Sequence, residues 1–580
     1  MKRSGVRQHL SSAATPLPFP VPYRTLPEAL LAAPPEKLFV TMWRSEDDVQ
    51  TATFGDFTKT VQIQAAYLRE QGLRTGDTVI LIMPQGIALM STFVAAMYLG
   101  AVPAILAYPN FKVEPAKYRL GLSGVSANLK ARLIVVDDAF PDAMMEHIQT
   151  GDNTRIMRYV QADTTGTPVV SPAAVHPDTV AFIQHSAGTT GLQKGVALLH
   201  AAVLRQINHL APALRLTAED RLYNWLPLYH DMGLIACFML PMVCHVPVVM
   251  QSPTDWVIQP ASMLEVISDY RCSLAWIPNF TLQFLARRVR PEDRASYDLS
   301  SLRALINCAE PVRAASMEEF LAAYKDCNLQ PHVLQSCYAM AETVFAVTQS
   351  GMDGRLDPQR IWVDGEAFRR EKVVGPVAQD ASNAICFVSS GRCLPGSEVR
   401  IVSDAGEVLP AAHVGEIAIR SDSMLEGYYN RPDLTAKALR DGWYYSGDLA
   451  FQLDGEVYVV GRKKDLIIVA GGNIYPQDVE EIVSSHPAVH DGRVIALGVC
   501  NANLGTEEIV VVAEVNDEKD LERAPQIERE LKNAIVGELG VAARAAYLKP
   551  PKWIVKSTAG KAARSTTREK LFAEHRELRS

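Results

Sequence analysis

From Thr51 onward, short apolar runs bounded by turn residues alternate with longer stretches of helical spacing, and this rhythm restricts the fold more than any other feature. "FTKTVQIQAAYLREQGL" has its apolar residues at helical intervals and stops at a glycine. "GDTVILIMP" is a short apolar run between turn residues, which predicts a buried strand, and "GIALMSTFVAAMYLGAVPAILA" predicts a helix, a glycine break and another strand. "ARLIVVDD" and "TVAFIQHS" repeat the strand signal. Strands alternating with helices imply parallel sheets covered on both faces, with ligands sitting outside the carboxyl ends of the strands. The expected class is therefore α/β.

Residues 1–22 form a Ser/Pro-rich arm expected to be flexible, and residues 23–463 are expected to make one large domain of mainly parallel sheets flanked by helices. Within it, "LPGSEVRIVSDAGEVLPAAHVGEIAIRSDSMLEGYY" changes to short alternating strands between Gly, Asp and Pro turns, a small β unit. Beyond "GRKKD" the alternation starts afresh, so residues 464–580 are expected to be a smaller, mobile α/β domain joined at Lys464. The window "GLIACFMLPMVCHVPVVM" (233–250) imitates a membrane span, but Pro241, His245 and Pro247 interrupt it. A buried helix running into a buried strand is the expectation, with no membrane span.

Net charge is −8 over 580 residues, which gives no global reason to bind nucleic acid or an anionic membrane. Nine cysteines without a C-x-x-C pair read as reduced thiols, and the N-terminus lacks the apolar core of a secretory signal, so a cytoplasmic location is expected.

"HSAGTTGLQKGV" (185–196) follows the strand "TVAFIQ". Gly188, Gly191 and Gly195 let backbone amides approach a ligand closely. Ser186, Thr189 and Thr190 add hydroxyls, and Lys194 adds a mobile charge. That inventory suits a polyphosphate held by successive N–H groups, although it is not the Walker pattern.

Six further blocks follow in order: "WLPLYHDMG" (225–233), "INCAEPVR" (306–313), "SCYAMAET" (336–343), "WYYSGDLA" (443–450), "GRKKD" (461–465) and "STAGKAAR" (557–564). Together with the loop they resemble the acyl-adenylate-forming, AMP-binding superfamily of acyl-CoA ligases, fatty acyl-AMP ligases and firefly luciferase. The resemblance covers nearly the whole chain. It implies ATP and Mg²⁺ as cofactors and assigns roles. Ser186, Gly188, Thr189, Thr190, Gly191 and Lys194 would cradle the triphosphate, and His230 would stand beside carboxylate and phosphate. Ala309, Glu310 and Pro311 would line one side of the adenine, and Tyr338 would stack on it, with Ala339, Met340 and Ala341 beside it. Glu342, with Thr190, would hold Mg²⁺. Asp448 would accept both ribose hydroxyls, Arg462 would contact ribose or phosphate, Lys464 would be the hinge and Lys561 the mobile catalytic lysine.

The chemistry needs these types. A carboxylate attacking the α-phosphate is an anion approaching an anion, so a metal and a lysine must offset the repulsion. An ionised aspartate accepts two vicinal hydroxyls because both its oxygens are acceptors.

An amino-acid-activating domain would carry an aspartate for the substrate amine, and none announces itself in "LAWIPNFTLQFLARR" (274–288). Trp276, Ile277 and Phe280 suggest an apolar acyl channel, hence a fatty or other hydrophobic carboxylic acid. "PLYHDMGLI", "DLSSLRALINCAEPVR" and "NIYPQDVEEIV" are similar to the fatty acyl-AMP ligase branch, where an insertion such as 357–385 restrains the C-terminal domain and disfavours CoA. The lysine-bearing phosphate loop, in contrast, is similar to CoA ligases. Residues 541–580 hold ten Lys/Arg against three Asp/Glu, a charge suited to an acidic acyl carrier protein and its phosphopantetheine arm, or to a merely solvated tail. The acceptor is expected to be that carrier, with CoA as the alternative. A catalytically idle nucleotide-binding scaffold is the rival from another class, and retention of Glu342 and Lys561 argues against it.

Overall fold

The computed structural model describes residues 15–109, 115–161, 170–185, 193–352, 358–470, 472–501, 506–556 and 562–579. Its first sheet has seven strands, in the order Gly427–Tyr428, Gly195–Leu199, Val180–His185, Val102–Ile105, Thr78–Ile82, Leu133–Val136 and Arg155–Arg158. The five from Val180–His185 to Arg155–Arg158 run parallel, and the first two are antiparallel additions. Thr78–Ile82 is buried along its whole length, as a central strand covered on both faces must be. A capping box of Thr53 and Asp56 starts the preceding helix, Phe54–Glu70.

A second sheet of nine strands is parallel through its centre, where Leu334–Ala339, Ala304–Asn307, Leu274–Ile277, Leu222–Asn224 and Val248–Met250 lie side by side. The span-like window lies here, buried except at His245 and Pro247, which are half-buried. Met232–Met239 winds wide, so that the Leu240 N–H donates to the Ile235 carbonyl five residues back. It continues as the short helix Leu240–Cys244, stops at His245 in the left-handed region (φ +54°), and re-enters the sheet as Val248–Met250. Among the described residues no helix is long and apolar enough to cross a membrane.

The β unit is an antiparallel sheet built on Ser397–Val402, Gly415–Ser421, Trp443–Leu453 and Glu456–Arg462. The expected insertion folds as a strand, Arg360–Asp364, a helix, Gly365–Glu371, and a strand, Ala384–Val388, paired antiparallel to the first. Its Val363 and Phe368 join Phe451, Tyr458 and Tyr475 in one apolar cluster.

Beyond Lys464, Val489–Asn501, Thr506–Val515 and Ala543–Lys549 form a three-stranded sheet. One face is covered by the helices Pro476–Ser484 and Ala524–Leu539, the other by Arg564–Glu574. The architecture is thus α/β, with large parallel-containing sheets flanked by helices, as the alternation predicts.

Candidate active site

The candidate residues gather where parallel strands end. His230 follows Leu222–Asn224, Ala309–Pro311 follows Ala304–Asn307, and Tyr338 stands at the end of Leu334–Ala339. These are the carboxyl ends, where backbone groups freed from the ladder and the connecting loops make a crevice. The His230 loop is tied to the strand leading into the glycine–threonine loop, since Gln184 Nε2 donates to the Tyr229 carbonyl at 2.7 Å. His230 Nδ1 lies 2.7 Å from the Asp231 carboxylate, which also accepts from the Met232 N–H at 2.8 Å.

Four residues from three motifs meet around one carboxylate. Asp448 lies opposite Arg462 in the strand pairing, and Arg462 Nε sits 2.8 Å from Oδ1. Tyr338 Oη donates to Oδ2 at 2.7 Å. Burial, reinforced by that carboxylate, pushes the Tyr338 phenol well above its ordinary value, so it remains a donor. Lys464 lies in the electrostatic surroundings of the same group: partial burial, with Arg462 and Lys194 nearby, lowers its ammonium, while Asp465 and Asp448 pull the other way.

A second constellation surrounds Glu342. Its buried carboxylate accepts from Tyr428 Oη at 2.7 Å, and Tyr428 and Tyr444 share a 3.3 Å hydrogen bond. Lys194 Nζ stands 4.5 Å over the Tyr428 ring, a cation–π contact. One tyrosine therefore touches both the candidate metal ligand and the candidate phosphate lysine. Two residues after Glu342, Val344 adopts φ +65°, a conformation a β-branched side chain adopts only under strain of about 1–3 kcal/mol. Ala309 in the candidate adenine strip has φ +72°.

Glu342 offers a single buried carboxylate. Among the described residues no group of three His, Cys, Asp or Glu side chains could hold a metal by itself. That donor set fits Mg²⁺ carried on nucleotide phosphates, because Mg²⁺ keeps several waters and takes only one or two protein carboxylates.

At the candidate acyl end, Phe280 opens the helix Phe280–Arg288, and its backbone N–H donates to Glu310 Oε2 at 3.0 Å. Phe280 packs in an aromatic group with Trp225, Trp256 and Phe284, in which Trp225 and Trp256 stack at 3.7 Å between centroids. Trp276 and Ile277 are fully buried in the strand Leu274–Ile277, and Trp276 meets Phe345 edge-on instead. Ala339, Met340 and Ala341 continue from the Tyr338 strand, where the Met340 N–H donates to the Phe345 carbonyl at 2.9 Å.

Ser186, Gly188, Thr189, Thr190, Gly191 and Lys561 lie outside the described residues. The sequence reading missed Tyr428, Tyr444, Trp225 and Trp256. Trp225 stands inside a quoted motif, whereas "EGYY" around Tyr428 carries no signal of its own.

Residues 28–429 match the AMP-binding enzyme family. The chain belongs to that family and is an acyl-adenylate-forming ligase. It is 27% identical to the medium-chain-fatty-acid–[acyl-carrier-protein] ligase JamA of Moorena producens (strain JHB) over 556 residues, 92% of each chain. It is also 27% identical over 563 residues to fadD25 of Mycobacterium tuberculosis (strain CDC 1551 / Oshkosh), provisionally named a fatty-acid–CoA ligase, covering 91% of this chain and 93% of that one. A solved structure from a study of fatty acyl-adenylate ligases of E. coli and L. pneumophila superposes with a TM-score of 0.88 at 27% identity, covering 97% of this chain and 100% of that one.

Proposed function

We propose that the protein joins a hydrophobic carboxylic acid to AMP and then passes the acyl group to the phosphopantetheine thiol of an acyl carrier protein. In the first step a carboxylate oxygen attacks the α-phosphorus of ATP. The bond from that phosphorus to the bridging oxygen breaks, and pyrophosphate leaves with the electron pair. In the second step the thiol sulfur attacks the acyl carbonyl, AMP departs, and the thiol proton is released.

Tyr338 and the Ala309–Pro311 strip hold adenine, Asp448 accepts the ribose hydroxyls, and Arg462 orients Asp448 while facing the nucleotide. His230 stands at the meeting point of carboxylate and phosphate. Lys194 and the hydroxyl and amide groups of 186–191 neutralise the phosphate tail, and Lys561 stabilises the charge that grows on the α-phosphate. Mg²⁺, held by Glu342 and Thr190, would add charge neutralisation on the phosphates. Lys464 is the hinge about which residues 464–580 turn between the two steps, and 23–463 is the body on which they turn. The observation that carries the first step is the convergence of Tyr338, Asp448, Arg462, Lys464, Lys194 and Glu342 from four separate segments.

The carrier-protein acceptor is supported by the insertion. Phe368 packs against Tyr475 with ring centroids 5.4 Å apart, and Asn473 Nδ2 donates to the Arg369 carbonyl at 2.7 Å. Such contacts tether the segment beyond Lys464, in keeping with a branch that disfavours CoA. The name of JamA points the same way, and that of fadD25 the other. Phe280, Trp225, Trp256 and Phe284 favour an apolar acyl group. A cytoplasmic location belongs to this reading, in keeping with nine free cysteines and ATP as substrate.

The test offers CoA and a phosphopantetheinylated carrier protein side by side, with ATP, Mg²⁺ and acids of graded chain length. Pyrophosphate release with acyl-carrier product supports the reading. Acyl-CoA as the main product would make the protein an acyl-CoA synthetase, and no pyrophosphate with any acid would leave an idle scaffold.

A further inference from the structure

The proposed reaction needs residues 464–580 in different positions for its two steps, so what seats them matters. Two arginines reach them from the acyl and adenine side of the site. Arg287 lies on the helix that Phe280 begins. Its guanidinium is held by Glu319 at 2.7 and 2.9 Å and pairs with Asp491, beyond Lys464, at 2.6 Å. Arg313 follows the Ala309–Pro311 strip. Its backbone N–H donates to Asn279 Oδ1 at 3.2 Å, and its guanidinium meets Glu481 at 2.6 Å and the Gln477 carbonyl at 3.1 Å.

Asn279, which immediately precedes Phe280, is the buried junction of this arrangement. It also accepts from Asn307 Nδ2 at 2.8 Å and donates to Ser316 Oγ at 3.0 Å. On the far side, the helix Pro476–Ser484 that carries Glu481 also carries Glu480. Glu480 accepts from the Ala496 N–H at 2.9 Å and pairs with Arg564, three residues after Lys561 in sequence. Polar contacts thus run from the turn that opens the acyl-site helix to the helix Pro476–Ser484, and from the adjacent residue of that helix, Glu480, on to Arg564.

We infer that Arg287 and Arg313 are positioning residues: through Asp491 and Glu481 they seat the C-terminal segment on the backbone stretches that carry Phe280 and the adenine strip, so that the seating answers to the acyl end of the site. The inference rests on the proposed two-step reaction. Glu481 and Asp491 are 54% and 34% exposed, and exposed pairs are individually weak. Weak pairs suit a seat that must release.

Hydrogen exchange of the amides from 477 to 484, on the full chain, reads the seating without turnover. For Glu481→Gln and Asp491→Asn, exchange should quicken about two- to fivefold each, and by roughly the product in the double variant, because the pairs are separate. Acyl-adenylate formation and thiol transfer, measured separately, should then change by different factors, with the KM for ATP nearly unchanged. The exchanged pair Arg313→Glu with Glu481→Arg should recover much of the loss, tying it to this ion pair, while the unequal change in the two steps is what a merely structural role would not produce. Unchanged exchange, or equal factors in both steps, overturns the inference. Absence of pyrophosphate release in the parent protein would refute the reaction, while the exchange comparison would still judge the seat.

Discussion

Tyr338 and Asp448, 110 residues apart in sequence, are joined by a 2.7 Å hydrogen bond from phenol to carboxylate. The other carboxylate oxygen is held by Arg462 at 2.8 Å. Asp448 is therefore oriented from both sides, and each oxygen keeps a further lone pair for a ribose hydroxyl.

Tyr338→Phe removes that phenolic donor while keeping a ring for the adenine. A hydrogen bond to a charged group contributes about 1.5–3 kcal/mol, so the KM for ATP should rise roughly tenfold or more, with a smaller change in kcat. Asp448→Asn should cost more, because the amide cannot accept at both positions and leaves Arg462 unpaired. Steady-state pyrophosphate release against ATP concentration measures both.

The Tyr428 ring and hydroxyl serve two partners and can be separated. Tyr428→Phe keeps the ring beneath Lys194 but removes the 2.7 Å bond to Glu342. The Mg²⁺ concentration needed for half-maximal pyrophosphate release should rise several-fold, with saturating activity largely retained. Tyr428→Leu removes both contacts and should also raise the KM for ATP. Titrating Mg²⁺ at saturating ATP, and ATP at saturating Mg²⁺, distinguishes the two effects.

These contacts mark the limit of what the sequence could disclose. The strands at Thr78–Ile82 and Leu133–Val136 are legible because a run of apolar residues between turn residues can satisfy its backbone only by burial in a sheet. The buried helix running into the strand Val248–Met250 is legible because the window is interrupted at His245 and Pro247; Pro241, by contrast, sits at the start of the helical turn Leu240–Cys244 and does not end the helix. The order of motifs indicates the chemistry. Pairwise geometry is another matter. Tyr428 meets Glu342 across 86 residues, and Trp256 stacks on Trp225 from a different element. Arg313 sits inside a quoted motif, yet its partner Glu481 belongs to another part of the chain. Such pairs depend on how sheets are layered, which local spacing does not encode. Trp276 teaches the converse: an apolar side chain at the end of a strand signals burial, but not which cavity or ring it faces.

Buried imidazoles should make the fold acid-sensitive before its carboxylates do. Burial lowers His185 and His200 to about 4 from an ordinary 6.5. The unfolded chain therefore takes up protons at each site between pH 6.5 and 4 while the folded chain does not. Their stabilisation is fully present above pH 6.5 and is lost as pH falls towards 4, at up to about 1.4 kcal/mol per pH unit for each. Tm should fall over that window, and His185→Gln should make the decline shallower.

Asp478 should act with the opposite sign. It lies in the first turn of the helix Pro476–Ser484, and burial pushes its carboxyl up to about 6 from an ordinary 3.8. Arg369 and Arg313 favour its charged form, while Glu481 and Glu480 oppose it. The folded chain thus holds a proton that the unfolded chain has already released. The resulting stabilisation is fully present below pH 3.8 and is lost as pH rises through about 6. Asp478→Asn is neutral throughout, so Tm of the variant minus Tm of the parent should climb between pH 4.5 and pH 7.5. A flat difference would mean that the two arginines offset the burial completely, leaving the carboxyl ionised in the folded chain across the whole range.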